Sequence, residues 1–417
     1  MAKLLPDNEF INQNVELLRQ RLSSQYTRFL DSKPTFCTYY HINTKMSTVD
    51  KGTHDIENLT NESSPIRYNK IENFPIYGIE QIQLDLEDGD FGFNIEYDGD
   101  GIILPNTIYP LMDDYFTIQY LGDKYLFRIT TINYDTIKSN SFYKIGFTLK
   151  STKESDSHKI EHLVVDNYHC IFDNIGTSDK CIIRDDDFVL LENIKLIIST
   201  LQDEYLKKFT DTRYNALMYM RASNIYLYDA MLNKFANKTK IFDKGPKSTD
   251  TCLLYEEERS YFGMDFEDSI YDRIIHRDTT ELNEINLYYD TEPALSTDSI
   301  FDYYRDERVK YMAYYPEESG PFGNNLTPYI NKDLLLAIDC KNVNLLKDPY
   351  DKFICRYFIE DIDKLVTSID EIANRRIKYT FHNFIYVPIV LYILKQLTNH
   401  IVVNRTVMDE KYIHENI

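Results

Sequence analysis

Tryptophan is absent from this chain, and glycine and proline number only 13 each in 417 residues. Tyrosine and phenylalanine are abundant instead, at 35 and 23. Asn, Ile, Lys and Asp are also frequent, and their AT-rich codons point to an AT-rich coding genome. The six cysteines form no CxxC and have no zinc-site spacing, so buried free thiols in a reducing compartment are the expectation. Basic residues are in deficit. Lys and Arg total 46 against 67 Asp and Glu, a net charge of −21 that repels phosphate and disfavours general nucleic-acid binding. Long apolar runs are missing too. The N-terminus lacks the apolar core of a signal peptide. The strongest run, 384–394, is too short to span a membrane and predicts a buried helix with Pro388 in its first turn. No acyl-transfer nucleophile motif, dinucleotide fingerprint or HExxH is present, which leaves catalytic, metal and cofactor assignments at none.

What the chain does contain is a regular β pattern over 74–149. Short alternations of aromatic and β-branched residues at 74–79, 91–97, 101–105, 115–121, 124–132 and 142–149 are separated by turn residues. Asp88-Gly89-Asp90 and Asp98-Gly99-Asp100-Gly101 lie between strands and lack the closing Glu of a calcium loop, so both read as hairpin turns. The predicted fold class is α+β: an N-terminal helix, a compact antiparallel β-domain of barrel or sandwich type, then a mostly helical C-terminal region. The predicted organisation is an amphipathic helix in 1–34, the β-domain in 35–150, a helical region in 160–240, an irregular insertion or arm in 241–300 and a helical region in 301–417. Residues 35–73 read as an irregular lead-in, and the polar stretch 151–159 as a linker.

Asp7 can cap a helix whose stripe is Ile11, Val15, Leu18, Leu22, Tyr26 and Phe29. Such a stripe packs on the chain's own core or on a neighbouring subunit. A second stripe, Leu190, Ile194, Ile197, Leu201 and Tyr205, follows Asp185-Asp186-Asp187, an acidic run that reads as cap and dipole complement. Another helix is predicted over 214–235. The segment Lys244-Gly245-Pro246-Lys247 lacks the upstream glycine of a phosphate loop. Residues 303–315 hold Tyr303, Tyr304, Arg305 and Tyr311, a composition found at interface hot spots and equally in a half-buried helix. Candidate oligomer-interface residues are therefore Ile11, Val15, Leu18, Leu22, Tyr303, Tyr304, Arg305 and Tyr311. Asp348-Pro349 opens a helix with the stripe Ile354, Phe358, Ile362, Leu365, Ile369 and Ile372, closed by Arg375-Arg376-Ile377-Lys378. A last helix is predicted from Pro388 to about Val402.

The segments 64–75 and 104–116 carry a resemblance. A proline, an acidic turn and an aromatic strand precede a strand of the type Leu126-Phe127-Arg128-Ile129-Thr130. In these features the chain resembles virion structural proteins of tailed bacteriophages of low-GC Gram-positive bacteria, from the neck, tail and baseplate region. Asp113-Asp114 stands where that pattern has Gly-Asp. The resemblance covers about 35–240. It implies a non-enzymatic virion component, made in the host bacterial cytoplasm, that assembles as a homo-oligomeric ring at the neck or tail. Implied partners are further copies of itself and portal, neck or tail proteins, with DNA passing through unbound and no membrane. A baseplate or tail-tip component, or a cell-wall or polysaccharide hydrolase with unidentified carboxylates, is the alternative.

Overall fold

The computed structural model describes residues 34–47, 66–79, 83–89, 92–104, 107–120, 123–137, 140–151, 159–172, 181–211, 216–220, 226–242, 266–280, 282, 285–290, 309–316, 326–328, 331–373 and 375–407. The chain divides into two compact units, 1–190 with 402–417, and 191–401.

The first unit is built on β1 (Thr35–Ile42), β2 (Tyr68–Ile76), β3 (Gln83–Gly89), β4 (Gly92–Ile103), β5 (Tyr115–Tyr120), β6 (Asp123–Ile137), β7 (Asn140–Ser151), β8 (Val164–Cys170) and β9 (Ile182–Arg184). With the short strand Thr406–Val407 they form a ten-stranded sheet, in the order Thr406–Val407, β9, β8, β2, β1, β5, β6, β7, β4, β3. Every step from β2 to β4 is antiparallel. The sheet then meets itself. Tyr77 N donates to Ile102 O at 2.9 Å and Ile102 N donates to Tyr77 O at 2.7 Å. This bridge returns β4 to the end of β2 and closes the ring β2-β1-β5-β6-β7-β4 into a small antiparallel barrel.

The alternation read in the sequence supplies the barrel's filling. Tyr39, Ile71, Phe74, Ile76, Ile103, Phe116, Phe127, Ile129, Ile145 and Phe147 form one buried cluster. At its centre Phe116 stacks on Phe127 at 5.2 Å, and Phe147 meets both rings edge-on at 5.0 and 5.3 Å. Burial of each ring contributes roughly 1.5–3 kcal/mol, and each aromatic pair about 0.5–1.5 more.

Asp98-Gly99-Asp100-Gly101 is not a turn. It lies inside β4, and both glycines are there for close approach. A Cβ on Gly99 would stand 2.6 Å from the Phe147 ring, and one on Gly101 would stand 2.9 Å from Ile76. A glycine inside a strand marks such an approach, and here it lets β4 close against β2 over the central aromatic ring. Of Asp88-Gly89-Asp90, the first two residues lie at the end of β3, opposite Phe93 and Gly92, and Asp90 lies outside the described residues. The lead-in 35–73 is also not irregular throughout, because it contains β1 and most of β2. Their bulge between Cys37 and Tyr39 obscures simple alternation. Beyond 151–159 the same sheet continues, with β8 running parallel to β2.

Helix α1 (Asp185–Phe209) begins in the first unit, and its residues from 191 onward belong to the second. Its buried residues are Leu191, Ile194, Leu201, Gln202, Tyr205 and Phe209. The acidic run opens this helix. Asp185 meets His169 at 2.6 Å and Asp187 meets Arg405 at 2.6 Å.

The second unit has a six-stranded sheet of β10 (Thr210–Asp211), β11 (Ala216–Met220), β12 (Tyr226–Tyr228), β13 (Ile285–Asp290), β14 (Val309–Pro316) and β15 (Leu326–Pro328). Their order is β10-β11-β12-β14-β13-β15. Its helices, besides α1, are α2 (Ala230–Thr239), α3 (Ile270–His276), α4 (Lys332–Asp339), α5 (Pro349–Ile359), α6 (Ile369–Ala373) and α7 (Phe381–Arg405). The helix expected over 214–235 is instead β11, β12 and the start of α2. Ala216–Met220 and Tyr226–Tyr228 are apolar runs whose antiparallel pairing overrides their helical spacing. Tyr311 likewise lies in a strand. The long stripe opened by Asp348-Pro349 breaks at Glu360 and resumes as a 3-10 segment, 362–368, and α6.

Helix α7 starts seven residues before Pro388, which is therefore internal and not in the first turn. At 25 residues α7 is long and apolar enough to cross a membrane by length and composition. Phe384, Val387, Ile389, Val390, Ile393, Leu394, Leu397 and Ile401 are nevertheless fully buried, so α7 is the core helix of this unit.

Candidate functional site

Ile11, Val15, Leu18, Leu22, Tyr303, Tyr304 and Arg305 lie outside the described residues. Tyr311 is in β14, in parallel register with Tyr228 of β12. The geometry described below is built from other residues.

In the first unit the segment 107–114 folds over the barrel and delivers a carboxylate into it. Asp114 is fully buried. Its carboxylate accepts from the Tyr39 hydroxyl at 2.8 Å, Ile42 N at 2.9 Å and Leu111 N at 2.8 Å, and Nδ1 of His41 lies 2.9 Å away. A buried charge persists only with such donors around it. Burial and then the neighbouring Asp114 carboxylate push the Tyr39 phenol well above its ordinary range. Tyr39, His41 and Asp114 are all buried, so this constellation clamps β1 to the connecting segment rather than meeting a substrate.

Asp113, one residue earlier, has a φ of 73°. That is the left-handed region which glycine occupies without strain. It explains why Gly-Asp fits this place in the resembling pattern. Here Asp113 adopts the glycine conformation and forms an ion pair with Arg128, whose Nε donates to its Oδ1 at 2.6 Å. Ile129 N donates to Asp114 O at 2.9 Å and fixes the same turn to β6.

Beside this turn lies an aromatic surface. The Tyr143 ring is 5.3 Å from Tyr109 and 5.6 Å from Tyr134. Tyr109 and Tyr134 are 48% and 65% exposed, and Met112, two residues before Asp114, is 62% exposed. Sequence reading missed it because Tyr134 and Tyr143 sit in two strands and become neighbours only through the register of β6 with β7.

In the second unit, the N-terminal turns of α5 and α7 bring Asp348, Asp351 and His382 together, with one ligand-type atom from each within 4.8 Å of the others. Asp348 caps α5 by accepting from Tyr350 N at 2.8 Å. Burial opposes protonation of the His382 imidazole, but the carboxylates of Asp351 and Asp348 outweigh it and hold its pKa above the ordinary value. The sequence signal was slight: two aspartates three apart, and a histidine on another helix.

The first unit is thus defined as a small antiparallel barrel with a buried aspartate clamp and an exposed tyrosine surface. Residues 12–184 match the model of a family described as "Putative phage head-tail joining protein". The match ends at the last residue of β9, so it falls on the first unit and covers less than half of the chain. No curated protein and no solved structure matches the chain.

Proposed function

We propose that this chain is a non-enzymatic structural component of the joint between head and tail in a tailed phage virion. The observation that carries the reading is the head-tail joining family match over 12–184, coincident with the barrel unit. In this reading several copies form a ring and contact portal, neck or tail proteins. Tyr109, Met112 and Tyr134 provide a contact surface of the kind that interfaces favour, aromatic and only partly dry. The predicted N-terminal stripe, Ile11, Val15, Leu18 and Leu22, provides a second. The net charge of −21 suits a channel wall past which DNA slides without adhering. The protein is then made in the host bacterial cytoplasm and carried in the virion, and the host is a low-GC Gram-positive bacterium.

The test is a phage that cannot make this chain. Electron microscopy of lysates should show filled heads and finished tails that remain separate. Joined, infective particles lacking the protein would overturn the reading. Native mass spectrometry of the purified chain tests the ring: a closed homo-oligomer is expected, and a monomer at all concentrations refutes self-assembly in the absence of partners.

A further inference from the structure

We infer that Asp348, Asp351 and His382 form a binding site for a divalent transition-metal ion, zinc first among them. Nε2 of His382 lies 3.2 Å from Asp351 Oδ1 and 3.9 Å from Asp348 Oδ1. Two ligand atoms sharing a zinc ion at about 2.0–2.2 Å each stand roughly 3.4 Å apart in tetrahedral geometry, so these separations suit a common ion.

The second observation concerns what these atoms lack. The Asp351 side chain is only 5% exposed, and apart from the ion-pair contacts at this site neither its Oδ1 nor the buried Nε2 of His382 has a hydrogen-bond partner. An ion between the two atoms satisfies both at once.

The surroundings are those of a ligand set. Asn331 Nδ2 donates to the other oxygen of Asp351 at 2.6 Å, which orients the carboxylate as outer-shell partners do. Asp348 is the N-cap of α5 and Asp351 lies in its first turn, so one helix end presents both carboxylates. Asp348 is 41% exposed and can turn its carboxylate toward the ion. Imidazole with carboxylates selects zinc over the magnesium and calcium ions that take oxygen alone. A bound ion ties the start of α5 to the start of α7, the core helix of its unit.

Calorimetric titration of the full chain with zinc chloride, after dialysis against a chelator, tests this. The expected result is one saturable site per chain. Loss of an outer-shell partner weakens metal binding by about 10–100-fold, so His382→Ala should weaken it more than that. Asp348→Asn is the control for folding. Asparagine caps a helix as well as aspartate does, so this variant retains the α5 cap while losing an anionic ligand. It too should bind zinc at least about tenfold more weakly, with an unchanged far-UV spectrum. His400→Ala, elsewhere in the unit, should bind like the parent. No saturable binding by the parent chain, or binding by Asp348→Asn and His382→Ala equal to that of the parent, overturns the inference.

Discussion

The buried hydroxyl of Tyr205 donates a 2.7 Å hydrogen bond to the backbone carbonyl of Phe384, the oxygen four residues before Pro388. In an α-helix that oxygen accepts from the N–H at position 388, and proline has none. Tyr205 therefore supplies from α1 the donor that α7 lacks within itself. Both residues are fully buried, so water cannot substitute. Tyr205→Phe should cost about 1–3 kcal/mol, the penalty for a buried acceptor left unpaired. In a Pro388→Ala background the helix provides its own donor, and the same change should cost about 1 kcal/mol or less. Denaturant unfolding of the four proteins measures the coupling. Equal costs in both backgrounds would refute the substitution of one donor for the other.

Asp114 and Asp113 should respond unequally to truncation. Asp114→Ala strips the acceptor from Tyr39, Ile42 and Leu111 and should destabilise the first unit by at least about 3 kcal/mol. Asp113→Gly exchanges a partly buried ion pair, worth about 0–1 kcal/mol, for relief of left-handed strain of similar size. Its stability should stay within about 1 kcal/mol of the parent. Asp113→Ala loses the pair and retains the strain, so it should be the worse of the two at this position. Thermal melts of the three variants give the order, and a stable Asp114→Ala protein would contradict the clamp.

The strands around the barrel were legible because one buried face writes period-two alternation into residues such as Phe127, Ile129 and Phe147. Barrel closure was not legible. It depends on Gly99 and Gly101, which in sequence are indistinguishable from turn glycines. In the second unit, short strands such as Tyr226–Tyr228 are too brief to show a period, and their partner Val309–Pro316 is distant in the chain. Helix α7 was underestimated because Pro388 suggests a start, while the compensating Tyr205 lies 179 positions before Phe384. The Asp114 clamp was visible only as a motif. Two of its donors, the Tyr39 hydroxyl and Ile42 N, come from β1, which residue spacing alone did not reveal.

The cysteines should separate by burial. Cys340 is exposed, whereas Cys37, Cys170, Cys181 and Cys355 are buried. Burial pushes the Cys355 thiol up to about 11 and raises Cys37 further. A hydrogen bond with Cys181, together with burial, raises Cys170. Thiolate is the reactive form, so at about pH 8 these groups are both hidden and protonated. Brief alkylation of the native chain followed by peptide mass mapping should label Cys340 and spare Cys37, Cys170 and Cys355. Denaturant should expose them all. Labelling of Cys355 at the rate of Cys340 would show that its helix opens readily.

The last prediction concerns DNA. Arg375, Arg376 and Lys378 form the densest basic run. They follow the end of α6 at Ala373 and are exposed, with Ile377 buried between them. Ile377 N donates to Glu204 Oε2 at 3.0 Å, which holds the segment in place. Three adjacent cations can neutralise few phosphates, and affinity for duplex DNA grows with the number neutralised. Against them stand 67 acidic residues in the whole chain and a net charge of −21. Repulsion should prevail. At about 0.15 M salt, where the screening length is about 8 Å, the purified chain should not retain duplex DNA in an anisotropy titration. A ring does not alter this sign, because every copy brings the same charge. Salt-sensitive binding, abolished by Arg375→Ala with Arg376→Ala, would instead make this segment a DNA contact and rule out a passive acidic wall.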